Sequence, residues 1–397
     1  MMSEETPRLD LLLYCHDGRG QGHSSRTIAI GLALRRLSSY LRLLIVSGAK
    51  DMPQLIANCS LDWMKLPSYQ SSILNGKSVG ASGVSNFSSD EIASLRQSFL
   101  GDIVKRLRPR CVLVDHLPEG KKNELTDALE ISKTMNTRWI LGVRAVVGDV
   151  EEMWSKNSQE AFRKYYSDIL WYGDLKLHSY ENMEKIADHF GILPVKLGLV
   201  SRALEVCRVQ NCYCDDSKKL DGTIGISWCS HSTVELIKYL VQALHKSNTV
   251  NQKWHSYIGQ ALVGVEREKI IEPLIKSPIF NVYEFSNDYL WTLKQSRLAV
   301  VYGGYNSITD ILWAGLPSII IARQMQDGEQ AVHARYIESF FSPSIHIYEE
   351  AEICAEVLAN SLKKLSAAPP PTVPPNMLEG AEKAALYLLS VIEKIGD

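Results

Sequence analysis

Residues 298–330, LAVVYGGYNSITDILWAGLPSIIIARQMQDGEQ, constrain the fold of this chain more than any other stretch. An apolar run of about four residues, 298–301, stops at Gly303 and Gly304, and Asn306 or Ser307 then stands where a polar side chain caps a helix. That helix has its own end marked, because Gly315 suits a left-handed cap and Pro317 blocks continuation into the apolar run 318–322. The order is strand, glycine loop, helix, strand and polar loop. Backbone amides at the helix start can receive a phosphate without help from a lysine, so the segment reads as half of a nucleotide site.

The same rhythm recurs elsewhere. Short apolar runs at 11–15, 43–47, 111–115 and 139–143, and again at 223–228, 281–285 and 318–322, alternate with amphipathic stretches. This alternation predicts parallel sheets with helices on their faces. At 397 residues the chain exceeds what one core usually holds, so two domains are expected. The polar, aperiodic stretch 206–220 places the boundary, giving α/β Rossmann-like domains over 1–205 and 206–375. The run AAPPPTVPP, 367–375, forms a stiff connector, since proline offers no amide donor. A terminal segment, 376–397, then regains helical spacing, with Leu378, Ala381, Ala385, Leu388, Leu389 and Ile392 on one face. It is expected to pack back on the first domain.

Charge narrows the partners. With 43 basic and 45 acidic residues, the chain has no field for binding nucleic acid. No apolar run approaches the ~18 residues that span a bilayer, and residues 1–10 do not read as an export signal. A soluble, cytoplasmic protein is expected. Cys15, Cys59, Cys111 and Cys354 sit in or beside apolar runs as buried free thiols. Cys207, Cys212 and Cys214 are close enough to hold a soft metal, but their spacing matches no common zinc pattern and no nearby histidine completes the set. No metal is expected there.

After the first strand comes HDGRGQGHSS, 16–25, followed by a helix with Ala29, Ile30, Ala33, Leu34 and Leu37 on one face. Its glycines permit a tight crossing, and Gly20, Gly22 and Ser24 border a helix start able to hold a phosphate or an acceptor oxygen. The dinucleotide fingerprint fails on glycine spacing and on Ser47, which stands where an acid is needed. A Walker lysine is also missing. His23, at the junction of loop and helix, is either a general base acting near neutral pH or a residue that simply caps the helix. Asp115 ends the strand CVLVD, where it either orients His23 and stabilises the imidazolium or makes a strand-end turn. Arg144, ending WILGVR, binds a phosphate or carboxylate, or pairs with Asp149.

The motifs GRGQGHSSR, VLVDHLPEGKKNEL, ILGVR, LWYGD, VYEFSNDY, GGYNSITDILWAGLP and DGEQAVHAR follow one another across both halves. In that order they resemble the GT-B glycosyltransferases, whose two Rossmann-like domains face each other across a cleft. The resemblance is strongest to the bacterial predicted glycosyltransferases related to the enzyme that adds N-acetylglucosamine to the lipid-linked peptidoglycan precursor, and it covers most of 11–335. It implies a nucleotide-sugar donor, a UDP-sugar, in the C-terminal domain and a small-molecule, glycan or lipid-linked acceptor in the N-terminal one. Carried over by position, Gly303, Gly304, Asn306 and Ser307 lie near the diphosphate, and Asp310 stands where relatives place a glutamate on the ribose. Glu329 and Gln330 meet the sugar hydroxyls, and the Phe285 backbone meets the base. Asp310 and Glu329 also fit simply as acids favoured in a helix first turn. Where relatives carry a glycine-rich phosphate loop, this chain has SWCSHSTVEL, so Ser230, His231 and Ser232 replace amide contacts with side-chain donors. That replacement alters donor choice or abolishes activity.

The residue eight before Asp310 is Tyr302, not the first glutamate of the Glu-x7-Glu pair of many retaining relatives, which points to inversion. No Asp-x-Asp occurs in the chain, so helix amides rather than a divalent ion are expected to stabilise the leaving group, and no cofactor is expected. Alternatives are a nucleotide-sugar hydrolase or 2-epimerase of the same fold, and a catalytically silent binding subunit. Arg35, Arg36 and Arg42 beside Leu37, Tyr40 and Leu41 form either a patch for anionic lipid or a solvated helix end.

Overall fold

The computed structural model describes residues 8–17, 21–74, 77–81, 85–211, 217–246, 252–261, 265–284, 286, 288–323 and 328–396. Among them, the first half contains β1 (Leu11–Cys15), β2 (Leu43–Ser47), β3 (Trp63–Lys65), β4 (Gln70–Leu74), β5 (Lys77–Ala81), β6 (Cys111–Asp115), β7 (Arg138–Arg144), β8 (Tyr166–Tyr172) and β9 (Val195–Lys196). β4 and β5 pair with each other, and the remainder form one sheet in the order β3-β2-β1-β6-β7-β8-β9. Every named pairing in that sheet is parallel. β1 and β6 are buried at every position, which is why they read as unbroken apolar runs.

The second half contains β10 (Leu220–Cys229), β11 (Trp254–Ala261), β12 (Phe280–Tyr283), β13 (Ser296–Tyr302), β14 (Ser318–Ala322) and β15 (Ile345–Glu349). They form a second parallel sheet in the order β12-β11-β10-β13-β14-β15. Each sheet has its own core, built around Trp139, Trp154 and Trp171 in one and Trp254, Ile224 and Leu240 in the other. Strand order reverses direction between β1 and β6, and again between β10 and β13. Such reversals open a crevice at the strands' carboxyl ends, where open α/β sheets take their ligands.

The chain divides into two compact units, Met1–Ser71 with Val79–Gln210 and Asn376–Asp397, and Ser72–Ser78 with Asn211–Pro375. The expected boundary at 205/206 is corrected to 210/211, because helix Arg202–Gln210 runs through it. Glu205, fully buried on that helix, accepts from Arg36 and Arg208, and both arginines also reach Glu382 of the terminal helix Gly380–Gly396. These ion pairs fasten the helix to the first unit, where it contacts helix Gly22–Leu37. Gly380 is required at its start, since a Cβ there would lie 2.5 Å from the Gly198 carbonyl oxygen. No helix among the described residues is long and apolar enough to cross a membrane.

Candidate functional site

The register pairs Cys15 with Asp115 and so brings the ends of β1 and β6 level at the first reversal. From the far side of the loop after β1, helix Gly22–Leu37 presents His23, whose Nδ1 lies 2.5 Å from Asp115 Oδ2. Arg26 Nη2 also lies 3.1 Å from Nδ1, but the shorter contact is to a carboxylate, which can only accept, and this places the proton on Nδ1 and the lone pair on Nε2. Nε2 has no hydrogen-bond partner among the described residues, and the side chain is 17% exposed. Burial, then Arg26, Arg144 and Lys121, hold the imidazole well below the usual histidine range. His23 is therefore neutral at physiological pH.

The sequence assigned no role to Arg26. One turn on from His23, it forks Asp115 through Nε at 3.2 Å and Nη2 at 2.8 Å. Its i+3 spacing from His23 was the available signal. This fork revises the expected part of Asp115: the carboxylate orients the ring, but its charge is shared with a buried guanidinium and only partly serves an imidazolium. His16 and His116 flank the pair, with ring centroids 4.0 and 5.6 Å from His23. Both are buried, and burial pushes both well below the histidine range. His116 adopts φ +80°, a strained conformation for a side-chain-bearing residue beside a site. Arg144, at the end of β7, acts on His23 and His116 through its charge, and Asp149 caps helix Val150–Met153.

A buried charge cluster supports the loop. Arg96, on helix Ser89–Leu107, bonds Asp17 and donates to Glu124 Oε1 at 2.8 Å. Tyr14 and Tyr69 both donate to Glu124, and the Tyr69 amide donates to Asp17 at 2.7 Å. Burial pushes Asp17 upward, but Arg96 outweighs it and holds the carboxyl below its usual value. Asp17, which follows His16 directly, is thus committed to holding the loop. Ser24 is buried, with its hydroxyl 3.8 Å from the Cys15 thiol.

At the second reversal, Tyr302 ends β13 and Gly303 donates to Ile321 O at 2.8 Å. Helix Tyr305–Ala314 begins with Gly304 as its cap and no side-chain cap bond. Asn306 and Ser307 are therefore not caps, and among the described residues a Cβ on Gly304 would meet only Ser307 Oγ, at 4.0 Å. Gly315 ends the helix in the left-handed conformation, φ +67°. Across the reversal, the Ser230 amide donates to Thr233 Oγ1 at 3.0 Å, and that hydroxyl lies 3.2 Å from Tyr302 Oη. Ser230 Oγ is 2.8 Å from Ser232 Oγ, and His231 and Ser232 are exposed at the start of helix His231–Lys246. Asp310 and Glu329 are buried, and the Gln330 side-chain carbonyl accepts from the Arg323 amide at 3.1 Å. Gly20, Phe285, Cys212 and Cys214 lie outside the described residues.

Arg323 is the second residue that sequence reasoning passed over. It follows β14, is buried, and donates Nη2 to Trp228 O at 2.6 Å. The basic patch near Tyr40 is largely spent internally, since Arg36 pairs with Glu205 and Glu382 and Arg35 donates to Ser39 O and Leu41 O. Among the described residues no group of three His, Cys, Asp or Glu side chains is arranged to hold a metal ion.

Residues 230–385 match the glycosyltransferase family 28 C-terminal domain. No curated protein sequence matches the chain. Among solved structures, MurG of Acinetobacter baumannii is 13% identical with TM-score 0.52, over 98% of this chain and 99% of that one. The UDP-GlcNAc 2-epimerase of Methanocaldococcus jannaschii is 9% identical with TM-score 0.61, over 97% and 100%. Arabidopsis thaliana UGT89C1, complexed with UDP-L-rhamnose, is 12% identical with TM-score 0.59, over 97% and 98%. The chain thus has the GT-B fold, and its residues 230–385 match the glycosyltransferase family 28 C-terminal domain.

Proposed function

We propose that the protein is an inverting, metal-independent glycosyltransferase that moves a sugar from a nucleoside-diphosphate sugar, a UDP-sugar, to a hydroxyl or amine acceptor. The observation that carries this reading is the His23–Asp115 contact at the β1/β6 reversal, which leaves a neutral imidazole with its Nε2 lone pair available. In the reaction Nε2 takes the acceptor proton, the acceptor atom bonds to the anomeric carbon, and the bond from that carbon to the diphosphate oxygen breaks. The nucleoside diphosphate leaves with the electron pair. Support for a donor site in the second unit comes from the uncapped helix start after Gly304 and the family 28 domain over 230–385. Ser230, His231 and Ser232 line the neighbouring strand end, Asp310 is assigned to the ribose, and Glu329 and Gln330 to the sugar.

A nucleotide-sugar 2-epimerase is the second reading, favoured by the fold shared with the archaeal epimerase. Acids around the sugar would serve such chemistry, and in the first loop Asp17 is committed to Arg96. Incubation with a panel of nucleotide sugars, with and without candidate acceptors, separates the two. Nucleoside diphosphate released only with an acceptor supports transfer, an epimer formed without one supports the second reading, and no turnover of any donor sinks both. His23→Ala is expected to lower turnover by about a hundredfold or more while leaving donor affinity unchanged. Undiminished turnover in that variant would remove His23 as the base.

A further inference from the structure

Arg323 spans the β10/β13 reversal. Leaving the end of β14, its side chain passes the end of β13 to reach the Trp228 carbonyl of β10. The guanidinium carbon lies 3.5 Å from the Trp228 ring centroid and 3.4 Å from that of Tyr302, so the cation is stacked between two aromatic faces. It makes no ion pair among the described residues, and Nε and Nη1 are buried without hydrogen-bond partners. Aromatic faces offset only part of the cost of burying a charge. The Tyr302 hydroxyl donates to Glu350 at 2.6 Å, and the Tyr302 oxygen and the Glu350 charge both act on Arg323 without forming an ion pair with it.

A guanidinium with Nε and Nη1 unspent suits an oxyanion such as a phosphate or diphosphate. Gly303 and Gly304 follow Tyr302 directly and lead into a helix start with no side-chain cap bond. We infer that Arg323 is a donor-phosphate ligand whose guanidinium pairs with the diphosphate of the nucleotide sugar. This rests on the donor reading above. Because both nitrogens are closed from solvent, donor binding draws the guanidinium out from between Trp228 and Tyr302. The same cation then meets the negative charge that grows on the diphosphate as the glycosyl bond breaks.

The test is a titration of the full chain and of Arg323→Gln, Arg323→Met and Arg323→Lys with UDP, TDP, GDP, ADP and the parent nucleosides. The nucleoside diphosphate that binds the wild-type chain is expected to bind the Gln and Met variants about tenfold or more weakly, with Lys intermediate and the nucleoside unaffected. Without ligand, the Arg323→Met melting temperature is expected to equal or exceed that of the wild type, because an uncompensated buried cation has gone. Unchanged diphosphate affinity in Arg323→Gln overturns the inference and leaves the donor reading standing. A lowered melting temperature with an unchanged ratio of diphosphate to nucleoside affinity assigns Arg323 to the fold alone and also overturns it. A wild-type chain that binds none of the diphosphates overturns the donor reading and this inference together.

Discussion

His23 and Arg26 share one carboxylate: Asp115 Oδ2 is 2.5 Å from His23 Nδ1 and 2.8 Å from Arg26 Nη2. The histidine is thereby oriented by a carboxylate whose charge is already engaged. Its ring stays neutral below the pH at which a solvated histidine protonates, and the acid limb of the pH–rate profile is expected below 6.5.

Replacing Arg26 with Gln removes one of the charges that depress His23 and releases Asp115 to stabilise the imidazolium. The acid limb should move to higher pH. A pH–rate profile of the variant checks this, and an unmoved limb would show that His23 is not the titrating base.

The buried histidines His16, His23 and His116 all have folded-state values lowered from 6.5. As pH falls below 6.5 the unfolded chain takes up protons that the folded chain refuses, so stability should fall with pH. Each histidine contributes up to about 1.4 kcal/mol per pH unit until its folded-state pKa is passed. Melting temperatures between neutral pH and pH ~5 measure the slope, and His116→Gln should make it shallower.

Arg96 is buried between Asp17 and Glu124. Arg96→Ala strands two buried carboxylates and should cost about 3–5 kcal/mol in denaturant unfolding. Adding Glu124→Gln should recover part of that loss, since fewer charges remain uncompensated. A loss under about 1 kcal/mol would mean that water already reaches the cluster.

Thr233→Val removes the hydroxyl that accepts the Ser230 amide and sits beside Tyr302 Oη. The amide loses its partner, so about 1–3 kcal/mol of stability should go. Donor affinity should fall as well, because the Ser230 turn is no longer held, and calorimetry with UDP reads that change. Gly380→Ala should destabilise the first unit by about 1–3 kcal/mol, because its Cβ would press on the Gly198 carbonyl. Urea unfolding is the measurement.

Much of the fold was legible because central parallel strands are buried on both faces and therefore read as apolar runs, as LLLYC and CVLVD do. β3, with its WMK sequence, and the two-residue β9 lack that pattern and emerge only from pairing with their neighbours. The left-handed end at Gly315 was also legible, since its cause is local. The cap before Tyr305 was not: the sequence offered Asn306 and Ser307, yet the helix starts two residues sooner than an Asn306 cap would have it and Gly304 takes the cap.

In the candidate site, His23 and Asp115 could each be singled out as a reactive residue type at a loop edge. Their contact across 92 positions could not, because it depends on β1 and β6 lying side by side with Cys15 level with Asp115. Arg26 and Arg323 escaped notice for the same reason: a guanidinium's role depends on what lies within reach of its fork. By itself the sequence determined the alternation of strand and helix, the glycine turns and the chemical type of each candidate residue, all properties of neighbours along the chain. Only the tertiary structure decided which charges are paired, which histidine nitrogen keeps its lone pair, and which arginine is stacked between aromatic rings with no ion pair among the described residues, because these depend on burial and on partners far apart in sequence.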